Sequence, residues 1–359
     1  MDLPNAAPLP SPSKTTFATV VRLKDCWFIA CTSAELKNRP LARMIQGTPL
    51  VLFRAESGRA AALVDRCPHR NVPLSLGRVD GGQLECRYHG WRFDGGGTCR
   101  AVPGLCSGEP EARARKASAF PVVEQDGFVW VYATPDTEPT VKPYRFPHVE
   151  DRRYSTVKRE FRVECTVHAM VENTLDVPHT AYLHGGLFRT AKKKNEIDVV
   201  IRRGPEGVEA EYIGEPRPPG IAGRILAPGG GVVQHFDRFL LPSIAQVEYR
   251  LGDASHLVVT SVMTPVSDFD TRVYAVATFR LPVPHWLVRP VLTPIATHIF
   301  RQDAQMLKRQ TERIQQFGHE SYASTELDAI GPSALRLLRL AEKGQIPTET
   351  SEQRVRMRV

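Results

Sequence analysis

The sequence predicts an α+β protein of two domains: a small all-β domain, then a larger sheet flanked by helices. Three observations carry this. Alternating, glycine-punctuated runs extend to about Tyr132. A segment rich in Pro, Thr and charge, Asp136 to Pro147, then reads as a linker. Beyond it, strand patterns dominate to Arg280 and helical ones follow. The 359 residues fit two domains, and 42% hydrophobic with 24% charged residues is the balance of a globular chain.

The start of the chain is rich in Pro, Ser and Ala without a long apolar core, so residues 1–18 are expected to form a flexible arm rather than a secretory signal. Residues 19–136 form the expected first domain. In it, Thr48 to Arg54 and Ala60 to Val64 read as strands joined by a turn at Ser57-Gly58-Arg59. Gly81-Gly82 and Gly95-Gly96-Gly97 mark further turns, and Gly127 to Tyr132 is a strong final strand. Residues 137–359 form the second domain. Ser155 to Val163 reads as a strand, and Thr166 to about His184 as helix broken by Pro178. Strands follow at Val199 to Arg202, Val208 to Tyr212, Val232 to Phe239, Ile244 to Leu251, His256 to Thr264 and Arg272 to Arg280. The last ~60 residues read as helical, most clearly Ile299 to Phe317.

A net charge of +8 raises nucleic acid, a membrane surface or an acidic protein as partners. The basic residues are dispersed, however. The clusters are Lys192-Lys193-Lys194 with Arg189, and Arg113, Arg115 and Lys116. Neither zinc-finger spacing nor an RNA-recognition aromatic signature accompanies them, so no nucleic-acid partner is expected. Solvated loops are the plain reading of these clusters, and docking of an acidic electron-transfer protein is the functional one. The most apolar stretch, Leu281 to Phe300, is interrupted by His285, Arg289, His298 and prolines, so no membrane span is expected. Its Pro-rich part to Ile295 is a candidate cover for a hydrophobic pocket. Seven cysteines (Cys26, Cys31, Cys67, Cys86, Cys99, Cys106 and Cys165) with no secretory signal favour free or metal-bound thiols in the cytoplasm over a disulfide framework.

Cys67-Pro68-His69-Arg70 and Cys86-Arg87-Tyr88-His89-Gly90-Trp91 each put one thiolate and one imidazole in a short loop. Zinc is the first competitor, because two Cys and two His suit a tetrahedral ion. Zinc fingers, however, commonly pair Cys with Cys and His with His. One of each per loop is what a [2Fe–2S] cluster needs if one iron takes two thiolates and the other two imidazoles. Trp91 and Tyr88 are candidates to shield such a cluster. Cys99 and Cys106 lie outside the motif.

C-x-H followed by C-x-x-H in a glycine-punctuated β domain resembles the Rieske family. The flanking Cys-Pro-His-Arg, Tyr-His-Gly-Trp and Phe93-Asp94 resemble its ring-hydroxylating oxygenase branch. That resemblance implies a cluster held by Cys67, His69, Cys86 and His89.

The second constellation is Glu172-Asn173-Thr174-Leu175-Asp176-Val177-Pro178-His179-Thr180-Ala181-Tyr182-Leu183-His184. Asp176 and His179 share a helix face, but His179 and His184 would stand about 140° apart at ~100° per residue. They converge on one ion only if the helix breaks between them, as Pro178 and Gly185-Gly186 allow. Two histidines with one carboxylate form the facial triad of non-haem Fe(II) oxygenases. The run N-x-x-D-x-x-H-x₄-H resembles the catalytic motif of Rieske oxygenase large subunits. Carried over, His179 and His184 are iron ligands, Asp176 bridges to a cluster histidine of a neighbouring chain, and Asn173 sits near the iron. The third ligand implied is Asp303, within Ile299 to Leu307, in preference to Asp268 and Asp270.

The resemblance implies a large antiparallel sheet in the second domain and a homotrimer without a β subunit. It also implies O₂-dependent oxidation of a hydrophobic, aromatic or polycyclic small molecule by hydroxylation, demethylation, desaturation or amine oxygenation. No G-x-G-x-x-G fingerprint is present, so electrons would come from a separate NAD(P)H-dependent reductase, directly or through a ferredoxin. The competing classes are an electron carrier with an inactive second domain and a structural zinc protein. The His179, His184 and Asp303 set argues against the first.

Overall fold

The computed structural model describes residues 22–106, 108–184, 195–215, 233–252, 255–282, 285–345 and 347–358. The expected arm at residues 1–18, Gly185-Gly186 and the Arg189 to Lys194 cluster lie outside them, as do residues 283 and 284 of the Leu281 to Ile295 stretch.

The N-terminal part is all-β. Its strands are β1 (Trp27–Thr32), β2 (Leu41–Ile45), β3 (Thr48–Arg54), β4 (Ala60–Val64), β5 (Arg78–Asp80), β6 (Gln83–Glu85), β7 (Arg92–Phe93), β8 (Cys99–Ala101), β9 (Ala119–Phe120), β10 (Val122–Gln125) and β11 (Phe128–Tyr132). They make three small antiparallel sheets in the orders β1-β11-β10, β2-β3-β4-β9 and β5-β6-β7-β8. Leu50, Val51, Leu52 and Phe53 of β3 are buried in succession because both faces of that strand are covered. Gly97 has φ +79°, and a Cβ there would lie 1.9 Å from the Ala117 carbonyl oxygen, so only glycine lets the chain pass.

The C-terminal part is one eight-stranded antiparallel sheet. Its strands are β12 (Ser155–Val163), β13 (Glu196–Arg203), β14 (Gly207–Ile213), β15 (Val233–Leu240), β16 (Ile244–Leu251), β17 (Ser255–Ser267), β18 (Asp270–Arg280) and β19 (Ser351–Arg358), ordered β12-β18-β17-β16-β15-β14-β13-β19. Among the described residues the α-helices are α1 (Val167–Leu175), α2 (Thr180–Leu183), α3 (His285–Phe317) and α4 (Gly331–Glu342). Two features depart from the sequence reading. The chain ends on a strand, not a helix. β19 alternates Val355 and Met357, paired with Val199 and Ile197, against Arg356 and Arg358, which meet Asp198 and Glu196 on the neighbouring strand. Its charge masks the period of two. Helix α3 also starts well before Ile299 and runs through Pro290 and Pro294. Its later turns are held by a buried stripe, Asp303, Leu307, Thr311 and Ile314.

The sheet is covered on both sides. Outside, Trp27, Ile29, Phe128 and Trp130 of the first domain pack on Ile244, Val262, Tyr274 and Val276. Tyr274 donates to the Ala30 carbonyl (2.8 Å) and Thr264 to that of Ile29 (2.7 Å), locking the two parts together. Inside, α1 sets Val167, Met170 and Val171 among Ala245, Met263 and Val273 and against Ala334 and Leu338 of α4. Each such buried side chain contributes roughly 1.5–3 kcal/mol, which fixes α1 on the sheet and hence the residues that follow it.

Candidate metal centres

Two loops of the first domain have the same backbone construction. In one, Cys67 N–H donates to the Val72 carbonyl and Asn71 N–H to that of Cys67, both at 2.8 Å. In the other, Cys86 N–H donates to the Trp91 carbonyl (2.8 Å) and Gly90 N–H to that of Cys86 (3.0 Å). Both turns close through a left-handed residue, Asn71 (φ 59°) and Gly90 (φ 68°). The repeated turn aims like residues at each other. Cys67 and Cys86 are buried together among Val51, Phe53, Leu63, Leu74, Leu84 and Phe93. The rings of His69 and His89 meet with centroids 4.5 Å apart. Thiol thus lies beside thiol and ring beside ring, the sorting that a His₂/Cys₂ cluster requires and a mixed tetrahedral ion does not.

Two further features fit a bound cluster. His69 Nδ1 is buried without a hydrogen-bond partner, a cost in an apolar setting unless something binds it. Burial pushes the Cys67 thiol up to about 11, so a cation is needed to keep it as thiolate. Trp91 covers His69 in a parallel stack, with centroids 4.6 Å apart. Tyr88 contacts the His89 ring but is largely exposed. Cys99 is buried with its thiol donating to the Ala101 carbonyl, and Cys106 is exposed.

In the second domain, Thr166 caps α1, its hydroxyl accepting from Ala169 N–H at 3.0 Å. The helix stops at Leu175, because Pro178 biases Val177 toward extended backbone. The chain restarts as the single turn α2, with His179 at its N-terminal edge and His184 at its C-terminal edge. The break precedes both histidines; His184 departs from the ideal-helix position because it ends α2 with non-helical backbone (φ −108°, ψ 32°). The two rings stand 5.2 Å apart at 76°. Asp303, on α3, completes a group whose candidate ligand atoms all lie within 4.8 Å of one another. Phe300, one turn earlier, stacks on Phe161 of β12 at 3.6 Å and fixes α3 against the sheet.

The Asp303 Oδ1 atom is 3.0 Å from His184 Nε2 and 3.5 Å from His179 Nε2. Donors about 2.1 Å from a common ion at right angles would be about 3.0 Å apart. His184 Nε2 is buried with no hydrogen-bond partner, so its short approach to Asp303 is not a hydrogen bond. Both atoms face a shared point, which fits an ion. Asn173 Nδ2 donates to Asp303 Oδ1 at 3.3 Å. Asp176 holds His179, whose Nδ1 donates to its carbonyl (2.5 Å) with the carboxylate at 3.4 Å. Burial lowers the His179 pKa, but Asp176 and Asp303 outweigh it and hold the ring at about 9.

Sequence reasoning missed two neighbours. Gln302 Oε1 accepts from His184 Nδ1 at 2.9 Å, which leaves Nε2 as the free donor atom. Its position beside Asp303 was the available signal. Glu172 lies with Asp176, His179 and Asp328 around a recess of about 350 Å³. Burial, then Asp328 and Asp176, raises its carboxyl to about 7.

Comparison with known proteins agrees with this geometry. Residues 26–123 match the family described as Rieske [2Fe-2S] domain, and residues 163–343 that described as Vanillate O-demethylase oxygenase C-terminal domain. The chain is 36% identical to the dicamba O-demethylase oxygenase component of Stenotrophomonas maltophilia over 51% of its own length and 54% of that protein. It thus spans about half the length of that relative. It is 27% identical to the vanillate O-demethylase oxygenase subunit of Pseudomonas sp. strain HR199 over 88% of its length and 93% of that protein. Its fold superposes on the crystal structure of dicamba monooxygenase bound to dicamba with a TM-score of 0.76, at 25% identity over 90% of this chain and 98% of that one. The chain belongs to the Rieske-type non-haem iron oxygenases, with a Rieske domain followed by an oxygenase domain of the vanillate O-demethylase type.

Proposed function

We propose that this chain is the oxygenase component of an aromatic O-demethylase, with Cys67, His69, Cys86 and His89 holding the [2Fe–2S] cluster and His179, His184 and Asp303 holding Fe(II). The observation that carries the reading is the convergence of that triad, with His184 Nε2 buried and unpartnered, in a chain that also has the paired Cys/His loops. Dicamba and vanillate O-demethylases as relatives favour demethylation among the oxidations open to such a site. The overall change converts an aryl methyl ether, O₂, two electrons and two protons into a phenol, formaldehyde and water. The cluster supplies single electrons and the iron supplies O₂ activation. The protein's own part is orientation: Gln302 and Asp176 fix the two imidazoles, and Asn173 fixes the carboxylate.

In this reading the electrons come from a separate NAD(P)H-dependent reductase, with or without a ferredoxin, and the enzyme works as a homotrimer. Support for the trimer is complementary charge. Exposed Arg70 and Arg87 flank the cluster histidines, while Glu172, Asp176 and Asp328 line the recess beside His179. Asp176, one-third exposed, would then link His179 to a neighbouring cluster. The division into residues 19–136 and 137–359 belongs to this proposal, as does the cytoplasm, which suits seven free cysteines.

The test is an EPR spectrum of dithionite-reduced protein with iron and zinc analysis, followed by a formaldehyde assay on methoxyarenes with a reductase and O₂. A Rieske-type signal, about three irons per chain and formaldehyde are expected. Zinc without the signal overturns the cluster assignment. Two irons with no formaldehyde leaves only an electron carrier.

A further inference from the structure

We propose that Glu172 is a proton shuttle, carrying protons from solvent past His168 into the recess that contains His179. This rests on the oxygenase reading above, whose overall reaction takes up two protons for each O₂. Two recesses meet at this carboxyl. One, of about 350 Å³, holds Asp176 and His179. The other, of about 260 Å³, is lined by His168, Tyr322, Arg336, Arg339 and Lys343. It reaches solvent at Tyr322 and the three basic residues, all exposed. Glu172 is the one residue that lines both.

A glycine makes room for the passage. Gly331 opens α4, and a Cβ on it would lie 2.4 Å from Glu172 Oε1 and 2.9 Å from Cδ. The carboxyl thus fills the space that the missing side chain leaves between α1 and α4. His168 stands one turn before Glu172 on α1. Its Nε2 is 3.9 Å from Glu172 Oε2, just beyond hydrogen-bond range. That nitrogen is buried and has no hydrogen-bond partner, an arrangement that costs energy unless something reaches it. Burial lowers the His168 pKa to about 4, against the pull of a hydrogen bond to the Gly331 backbone, so the ring is neutral at pH 7. With its proton engaged there, Nε2 is left to accept. A small rotation brings a protonated Glu172 carboxyl to this acceptor, whereas a carboxylate has nothing to donate. His168 therefore favours the loaded form of Glu172 on the solvent side.

The surrounding charges allow both loading and release. Among the described residues, His168 is the one basic group within 4 Å of the Glu172 carboxylate. Burial, then Asp328 and Asp176, raises the Glu172 pKa to about 7, so the group takes and gives a proton near neutrality. Arg339 faces the outer recess and disfavours a charge on His168. In the trimer proposed above, the neighbouring chain covers the inner recess, and the way past Glu172 stays open to solvent. Glu172 loads and discharges twice for each O₂ that takes two electrons.

The experiment mixes the iron-loaded, anaerobically reduced full chain with O₂ and 2-methoxynaphthalene and quenches the reaction at intervals. Formaldehyde is counted, and so is hydrogen peroxide, since either product takes up two protons per O₂. Glu172→Gln keeps the size of the side chain and should form product about 100-fold more slowly, with iron content and the reduced-cluster EPR signal unchanged. Acetic acid, which fits the outer recess, should restore part of that rate and leave wild type unaffected. Gly331→Ala displaces only the flexible end of Glu172 and should also slow product, yet add nothing in a double variant with Glu172→Gln. A Glu172→Gln rate within about twofold of wild type overturns the shuttle. So does a slow variant that acetic acid does not rescue, because Glu172 then acts through structure alone. Peroxide without formaldehyde in wild type counts against demethylation, and the shuttle is then judged on peroxide. Neither product in wild type overturns the oxygenase reading and the shuttle with it.

Discussion

His184 Nε2 lies 3.0 Å from Asp303 Oδ1 and makes no hydrogen bond to it. A ring nitrogen and a carboxylate kept this close in a buried setting, without a shared proton, are organised for a third body. The first prediction follows. Asp303→Ala should lower iron from about three to about two per chain, as loss of one mononuclear site requires, while keeping the reduced-cluster EPR signal. A variant that still holds three irons would show that Asp303 is not a ligand.

Gln302 fixes which nitrogen of His184 faces that point. Gln302→Leu removes the acceptor, letting the ring turn or change tautomer. Iron affinity should drop roughly 10–100-fold, the usual cost of losing such a partner. Competition with a chelator measures it, and Gln302→Glu, which keeps an acceptor oxygen, should restore most of the affinity. Failure of that rescue would mean that Gln302 acts through packing alone.

Asp176 touches His179 yet is not itself in the triad. Asp176→Ala should therefore keep both metals while slowing reoxidation of the reduced cluster by O₂ and substrate by about 10–100-fold. Stopped-flow absorbance of the cluster reads this directly. Reoxidation at the wild-type rate would refute the bridging role.

The sequence exposed the donors more readily than their surroundings. Cys67, His69, Cys86 and His89 are legible because thiols and imidazoles at two-loop spacing have few other uses. His179 and His184 are legible through the run N-x-x-D-x-x-H-x₄-H, since five residues apart they share no face of a continuous helix. Gln302 carries no chemical signature of its own, since an amide next to an acid is commonplace. The cluster of His235 with Glu215 (2.6 Å) and Asp237 (3.0 Å) also escaped notice. Its carboxylates come from β15 and from the end of β14, and only strand pairing stacks Tyr212, His235 and Tyr249 into one rung. The strand β19 was hidden because only Val355 and Met357 mark its apolar face, while Glu352, Arg354, Arg356 and Arg358 fill the other.

The matched cluster loops differ at their left-handed position, Asn71 in one and Gly90 in the other. Gly90→Ala should cost about 1–2 kcal/mol from the backbone alone, and its Cβ would approach Pro103 Cγ at 3.0 Å. Asn71→Gly relieves rather than adds strain and should be nearly neutral. Thermal melts of the two variants, with visible absorbance as the cluster readout, test this. Equal losses in both would contradict the assigned turn geometry.

His235 gives the fold a pH dependence of definite sign. Its pKa is raised from an ordinary 6.5 to about 9 by Asp237 and Glu215 acting against burial. The folded protein therefore binds a proton more tightly than the unfolded chain does. The resulting stabilisation is fully present below about pH 6.5 and is lost as pH rises through about 9. The shift corresponds to at most on the order of 3 kcal/mol. Denaturant midpoints at pH 6, 7.5 and 9.5 (values chosen about the two pKa limits) should fall across this window in wild type. In His235→Gln the two carboxylates lose their cation, so stability should be lower at neutral pH and its fall toward alkaline pH should flatten. An undiminished fall in His235→Gln would assign the alkaline loss to other groups and leave the imidazolium between Tyr212 and Tyr249 without an energetic role.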